Sequence, residues 1–485
     1  MSNKKVLTAL LALAVVVVIV ALPTPPPIAK ADGTVVELTH SGKAALGVLV
    51  MAVLLWVTET FAFPVTGLIA VAALPIAGAG EFKSVVKEGF GHEIVLFCIG
   101  VMIFSTAISR TGLLRRFTTL LLARIGHSPK MIILAFLTVG AAASMWISDM
   151  AVAAILMPIG VGILEDANLK KLESNFGRAL MISCAWGALI GGIGTPAGCG
   201  PNPVTIGYLE ELAGIHFSFV QWMILGVPAA AMMIPCAWAT LLVCFPLENL
   251  DLRLEKEEVE ARQVELGPFS AREGWSLAIL CLAILLWVGQ PLIVDKYAAA
   301  DYLSISFVAL ACSLLFFLPK IDVLTWKTAQ REIDWGAIIL IMTGLSVGTA
   351  VYRTGAAEWV SIVSFSRLDA VHPIGQVFLV VLGVCLMKVL FSSNTLTGII
   401  VVPLMIALSK QLGISSALLA IPAGITSSLS FILVTSAPAN VILYAAGYFS
   451  IKDMAKAGLI MTIWASAAVT ISVLLFGRFC GIDAF

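Results

Sequence analysis

The chain has 485 residues, 60% of them hydrophobic and only 12% charged, and its formal charges cancel to zero. A soluble protein of this size carries about twice that charged fraction, so a soluble globular domain is excluded, and the balanced charge gives no patch for nucleic acid. Apolar runs of about 17 to 25 residues recur from one end to the other, the length at which a helix crosses a bilayer. The composition therefore describes an all-α polytopic membrane protein.

In chain order, Lys4 and Lys5 precede an apolar run at 6–22. A signal peptide has this layout, and Ala29-Lys30-Ala31 is cleavage-like. The run is long for a signal core, however, and Pro-rich sequence separates it from Ala31, so a retained first helix is expected. Further spans are expected at 44–62, 64–79, 95–109, 177–193, 218–246, 274–294, 302–318, 335–351 and 457–477. With the interrupted segments these make about 11 transmembrane helices. Trp56, Trp222, Trp287, Trp326 and Trp335 fall mostly near span ends, where interfacial belts form.

Between the spans lie shorter apolar segments at 131–164, 194–214, 375–412 and 414–447, each broken by Gly, Pro, Ser or Asn. The one long charged stretch, 248–272, reads as a cytoplasmic linker. It divides a first half, 1–247, with a hairpin at 131–164, from a second half, 273–485, with a hairpin at 375–412. Placing Lys4 and Lys5 in the cytoplasm puts Arg110, Arg115, Arg116, Arg124, Lys130, Lys170, Lys171, Arg178, Lys320, Lys327 and Arg331 inside with the linker. The loop at 209–216, with Glu210 and Glu211, and the mixed loop at 80–93 then lie outside, as the positive-inside rule requires. Arg353 and Arg367 also fall outside, against the trend.

The halves repeat. SRTG at 109–112 matches YRTG at 352–355, an offset of 353 − 110 = 243; SDM at 148–150 matches SNT at 393–395, 393 − 148 = 245; CGPN at 199–202 matches APAN at 437–440, 440 − 202 = 238. Three matches in order at near-constant offset indicate internal duplication. If each half crosses an odd number of times, the second is inverted, and paired interrupted segments in an inverted repeat mark a secondary transporter. Irregular backbone survives at membrane depth only in protein or along a cavity. The segments at 148–150 and 393–395 are therefore expected as tips of re-entrant hairpins, and GTPAGCGPN at 194–202 and SAPAN at 436–440 as breaks inside spans. Such breaks free helix N-termini for an anion and carbonyl, hydroxyl and amide oxygens for a small hard cation.

On these stretches the chain resembles the divalent anion:sodium symporter family, whose members carry dicarboxylates, citrate and in some cases sulfate; the bacterial dicarboxylate type is the nearest pattern. MWISDMAVAAILMPI at 145–159 and FSSNTLTGIIVVPL at 391–404 look like its hairpin tips, GTPAGCGPN and SAPAN like its broken spans, and LWVTETFAFPVTG at 55–67 and GYFSIKDMAKAGL at 447–459 like further family segments. The resemblance implies an elevator-type homodimer with scaffold and transport domains, working without covalent chemistry, and Na+ as the coupled ion. By position it places Ser148, Asp149, Met150, Cys199, Ser393, Asn394, Thr395, Ala437 and Pro438 at the substrate, and Ser148, Asp149, Gly198, Asn202, Ser393, Asn394 and Asn440 at the cation.

The departures from the family pattern are specific. Asp149 stands where Asn is usual, Met150 for Thr, Cys199 for Ser and Ala437 for Thr. A carboxylate repels a dianion unless neutralised. Sodium ligation, protonation, or pairing with a cation such as Lys388 in a hairpin arm would each do so, and a membrane-embedded ionisable residue is a functional hypothesis by default. Glu59 reads as a structural hydrogen-bond partner, and Arg110 and Arg353 as helix-end anchors. The cysteines, among them Cys98, Cys184, Cys236 and Cys385, form no Cys-x-x-Cys pair, and the five histidines show no metal-ligand spacing. The reading that follows is a sodium-coupled carrier of four-carbon dicarboxylates in a cell (inner) membrane, with an anion exchanger or a sulfate or sulfonate carrier of the same fold as the alternative. An enzyme would need a nucleophile–base pair or metal ligands and a channel a continuous polar path; the sequence offers neither.

Overall fold

The computed structural model describes residues 3–29, 35–125, 128–248, 267–296, 302–365 and 371–482. Most of the 248–272 linker, Lys30 and Ala31 of the cleavage-like sequence, and Arg367 lie outside the described residues; so does the side chain of Arg124. The chain is helical throughout, apart from a two-residue antiparallel ribbon that pairs Ile28 with Val36 and Ala29 with Val35. Among the described residues nine helices are long and apolar enough to cross a membrane, a set that includes both arms of the second hairpin, and shorter apolar helices accompany them.

The helix surfaces are inverted relative to a soluble protein. Along Ile451–Phe476, Thr462, Ser466, Thr470 and Ser472 are buried, whereas Leu459, Ile463 and Leu475 face outward. The hydroxyls of Thr462, Ser466 and Thr470 donate to the carbonyl one turn back, at 2.7–2.8 Å, so they enter the interior already satisfied. A lipid environment rewards this arrangement, because the outer face needs only to be apolar.

Each half contributes a hairpin and a broken span. The first hairpin has arms Pro129–Ser144 and Asp149–Asp166, and the second Pro373–Met387 and Asn394–Gln411. Pro158 and Pro403 interrupt the outgoing arms at the same distance from the tip serine, 158 − 148 = 403 − 393 = 10. The first broken span runs Asn175–Gly192 then Pro201–Ala213, and the second Ser416–Thr426 then Pro438–Ala445.

Small residues let these pieces approach. The incoming arm of the first hairpin lies along Asn175–Gly192, and a Cβ on Gly191 would fall 2.1 Å from the Ala141 carbonyl oxygen. Gly187 is one turn earlier, the small-xxx-small spacing of close membrane helices. Across the halves, Pro438–Ala445 packs on the first hairpin and Pro201–Ala213 on the second. Each hairpin thus packs between the broken span of its own half and that of the other.

Charged groups sort to opposite ends. The expected loops at 80–93 and 209–216 are largely helical, and Arg353 pairs with Glu88 at 2.6 Å in the helix Phe82–Phe90 and with Glu211 in Pro201–Ala213. Arg110 pairs with Glu332, Arg116 with Glu273 at 2.8 Å, and Arg272 with Asp322 at 2.8 Å. These are the helix-end contacts expected of Arg110 and Arg353.

The tryptophan expectation is corrected. Trp56, Trp222 and Trp287 are core residues, not a belt. Their indole N–H groups donate to the carbonyls of Phe63 at 3.0 Å, Ile193 at 2.9 Å and Ile305 at 3.1 Å. An indole buried with a backbone acceptor costs nothing in unsatisfied polarity, and in a chain full of broken helices such acceptors are plentiful. Trp326 is exposed, and Trp335 donates to the Gln330 carbonyl at 3.0 Å.

Candidate functional site

The two hairpin tips turn in the same way. The arm ending at Ser144 gives way to Met145–Ile147, and Ser148 caps the outgoing arm by accepting from the Ala151 N–H at 3.3 Å. Ser393 caps its arm by accepting from the Leu396 N–H at 3.3 Å. Both hydroxyls are thus engaged as helix caps, and each keeps its own proton for a further acceptor. Each tip is also tied to a segment outside the hairpins, the first to the helix Ile94–Thr111 and the second to the turn after His40–Val57. The Ser148 N–H donates to Ser105 Oγ at 3.1 Å, and Ser392 Oγ donates to Glu59 Oε1 at 3.1 Å. Glu59 is the structural partner expected, and it holds a left-handed φ of +47° to reach the tip.

The tips meet through the residue after each cap. Asn394 Nδ2 donates to Asp149 Oδ2 at 3.3 Å, and Asp149 Oδ1 accepts from the Met150 N–H at 2.8 Å. Asp149 is half-buried, Asn394 buried, and the Met150 side chain exposed. Asp149 and Lys388 each lie within the other's electrostatic reach, but no ion pair within 4.0 Å joins them among the described residues.

The breaks are built on a repeated device. Asn202 Nδ2 donates to the carbonyls of Gly192 at 2.9 Å and Thr195 at 2.7 Å, and Asn440 Nδ2 to those of Ser430 at 2.7 Å and Leu433 at 3.2 Å. In both cases the acceptors lie ten and seven residues earlier, carbonyls that the interruption frees from the helix ladder. Asn202 Oδ1 accepts from the Cys199 thiol at 3.1 Å. Asn440 Oδ1 is buried and has no hydrogen-bond partner. Such an oxygen suits a hard cation such as sodium.

Breaks and tips converge. Cys199 Sγ lies 2.8 Å from Ser428 Oγ, joining one break to the other. A Cβ on Gly200 would stand 2.2 Å from Thr395 Oγ1, and one on Gly198 would stand 2.4 Å from the Gly192 carbonyl oxygen. Ala437 is buried, and Pro438, exposed, opens its half-helix, where the missing N–H leaves no bond unmade. The N-termini of both outgoing arms and both second half-helices therefore face one region. The positive ends of their dipoles favour an anion there.

Several contributors escaped the sequence reading. Ser430 Oγ donates to Asn394 Oδ1 at 3.0 Å and lies 3.3 Å from the Ser436 carbonyl oxygen, which accepts from Lys388 Nζ at 3.1 Å. Thr195 Oγ1 donates to the Met145 carbonyl at 2.5 Å, pinning the first break to the first tip. Trp222 satisfies the freed Ile193 carbonyl. The signal for Ser428 and Ser430 was present as a run of hydroxyls, TSSLS at 426–430, inside an apolar segment.

Among the described residues no group of three or more His, Cys, Asp or Glu gathers as metal-binding sites do. Paired hairpins and paired broken helices within a helical membrane protein define the class of secondary transporters. The family description "Sodium:sulfate symporter transmembrane region" matches residues 3–482, and the chain belongs to this divalent anion:sodium symporter family. Two relatives are the sodium-dependent dicarboxylate transporters SdcS of Staphylococcus aureus (strain USA300), 28% identical over 434 residues, and of Staphylococcus saprophyticus, 27% identical over 432 residues. Each alignment covers 85% of this chain and 82% of the relative. Among solved structures, the fold is similar to the YdaH transporter of Alcanivorax borkumensis (TM-score 0.59, 11% identity, 99% of both chains). It is also similar to MtrF of Neisseria gonorrhoeae (TM-score 0.55, 12% identity, 97% of this chain and 94% of that one).

Proposed function

We propose that the protein is a secondary active transporter of small divalent organic anions, with four-carbon dicarboxylates such as succinate, malate and fumarate as substrates and sodium as the coupled ion. The observation that carries the reading is the contact between the hairpin tips, Asp149 to Asn394, where both broken spans arrive. Half-helix N-termini supply the attraction for the carboxylates, while Asp149, Asn440 Oδ1 and freed carbonyls supply oxygens for cations, sodium among them. In this reading Ser148, Met150, Cys199, Ser393, Thr395, Ala437 and Pro438 line the anion's side, and Gly198 and Asn202 shape the first break around the cation. The halves form an inverted repeat, the hairpins re-enter from opposite sides, and a transport domain carrying them moves against the scaffold of a homodimer. The N-terminus lies in the cytoplasm of a cell whose inner membrane holds the protein.

The test is succinate uptake by the purified protein in liposomes, with an inward sodium gradient and with potassium in its place. Uptake should follow the sodium gradient, and Asp149→Asn should change its dependence on sodium. Uptake indifferent to sodium in the native protein removes symport; Asp149→Asn with native affinity and sodium dependence removes the role given to Asp149. A second reading, a sodium-independent exchanger of the same fold, is favoured by the ionisable pair Asp149 and Lys388. Exchange between preloaded vesicles, with sulfate and sulfonates as competitors, separates it from the first.

A further inference from the structure

Lys388 ends the incoming arm of the second hairpin. It is 1% exposed. A buried ammonium is expensive unless compensated, and its one hydrogen-bond acceptor among the described residues is the Ser436 carbonyl, in the second break. The same break holds the unpartnered oxygen Asn440 Oδ1. The second half therefore offers freed oxygens and brings its own cation to them. From Lys388 a chain of polar contacts runs through the Ser436 carbonyl, Ser430 and Asn394 to the carboxylate of Asp149.

The first half is built to the same plan with the opposite charge. Counting back five residues from the tip serine, Lys388 corresponds to Ala143 (393 − 388 = 148 − 143). Counting forward one, Asn394 corresponds to Asp149. Ser436, four before Asn440, corresponds to Gly198, four before Asn202. The first half thus has a carboxylate and no cationic side chain at these positions, and the second has an ammonium and no carboxylate.

We propose that Lys388 is the resident cation of the second half, its tethered ammonium doing there what a mobile sodium ion does beside Asp149 in the first. This rests on the reading of the paired breaks as ion sites. It assigns the two departures, Asp149 and Lys388, to one charge arrangement: the mobile cation belongs to the first half, and the anion is met by a fixed positive charge from the second. The protein then moves fewer sodium ions per cycle than two equivalent halves would hold.

The experiment compares native protein with Lys388→Ala, which leaves room for an ion, and Lys388→Met, which fills the space without charge. Thermal stability is followed in purified protein against sodium, with potassium as the control and no substrate. Lys388→Ala should gain a sodium-dependent stabilisation absent from the native protein, its order in sodium rising by one. Lys388→Met should gain none, and its succinate affinity, read by stabilisation, should fall at least about tenfold. Identical sodium responses in all three proteins overturn the proposal. If both variants fail to fold in potassium, sodium during purification should rescue Lys388→Ala alone; rescue of both, or of neither, also overturns it. Because the sodium readout needs no transport, failure of dicarboxylate uptake leaves this outcome readable.

Discussion

Asn202 and Asn440 carry the breaks. An Asn side chain presents two donors on one nitrogen, and each of these residues spends both on carbonyls that a continuous helix would have satisfied. Removing the amide strands the carbonyl of Gly192 or Ser430, at about 1–3 kcal/mol for a buried group left unsatisfied, while the Thr195 and Leu433 carbonyls keep the N–H groups of Gly198 and Ser436. Asn202→Ala and Asn440→Ala should both lower the melting temperature in detergent. They should differ in sodium. Asn202 belongs to the break of the half assigned the mobile cation, whereas the other break is met by Lys388, so Asn202→Ala alone should also change the response to sodium over potassium. Equal responses would show that the first break has no part in binding the mobile cation. The positions of both Asn residues were legible in the CGPN and APAN matches. That their amides close the breaks was not, because the acceptors lie ten and seven residues away, outside any helical period.

At the level of elements, the second hairpin rests on the first break with almost no clearance. Gly200 faces Thr395, and an added Cβ would stand 2.2 Å from Oγ1 and 3.4 Å from Cγ2. To admit a methyl group there, the Thr395 side chain must turn or the tip must move. Gly200→Ala should therefore weaken succinate binding, by about tenfold or more for a displacement costing 1.4 kcal/mol. Thr395→Ala should cost less, and the double variant should recover part of the loss, because truncating Thr395 clears the space. A double variant no better than the sum of the singles would mean that the two elements do not press on each other. The hairpins and broken spans were each legible as interrupted apolar segments. Their cross-wise packing, each hairpin against the other half's broken span as well as its own, was not, because nothing in a segment's own pattern names its neighbour.

For the whole molecule, the ion pairs sort the loops into two ends, with Glu88, Glu211 and Arg353 together and Arg110, Arg116, Arg272, Asp322 and Glu332 in pairs of their own. The positive-inside reading turns this into a direction across the membrane. Cysteines placed singly at the exposed positions Lys83 and His216, with the exposed native Cys281 replaced, should react with an impermeant thiol reagent on intact cells. A cysteine at exposed Lys327 should react only after permeabilisation. The reverse pattern would invert the assignment and leave the fold unchanged. Arg353, an exception to the positive-inside bias, is held at its end by Glu88 and Glu211.

The sequence by itself was enough to read a polytopic membrane protein and the places where its helices break. Those properties depend on composition and on short local patterns, which a linear reading captures. Tertiary structure alone decided which groups meet: Asp149 with Asn394, Cys199 with Ser428, Lys388 with the Ser436 carbonyl, and three tryptophans with backbone acceptors in the core. Such partners lie up to 245 residues apart. Their meeting follows from how whole helices pack, and packing is set by small residues and freed carbonyls acting together across the fold.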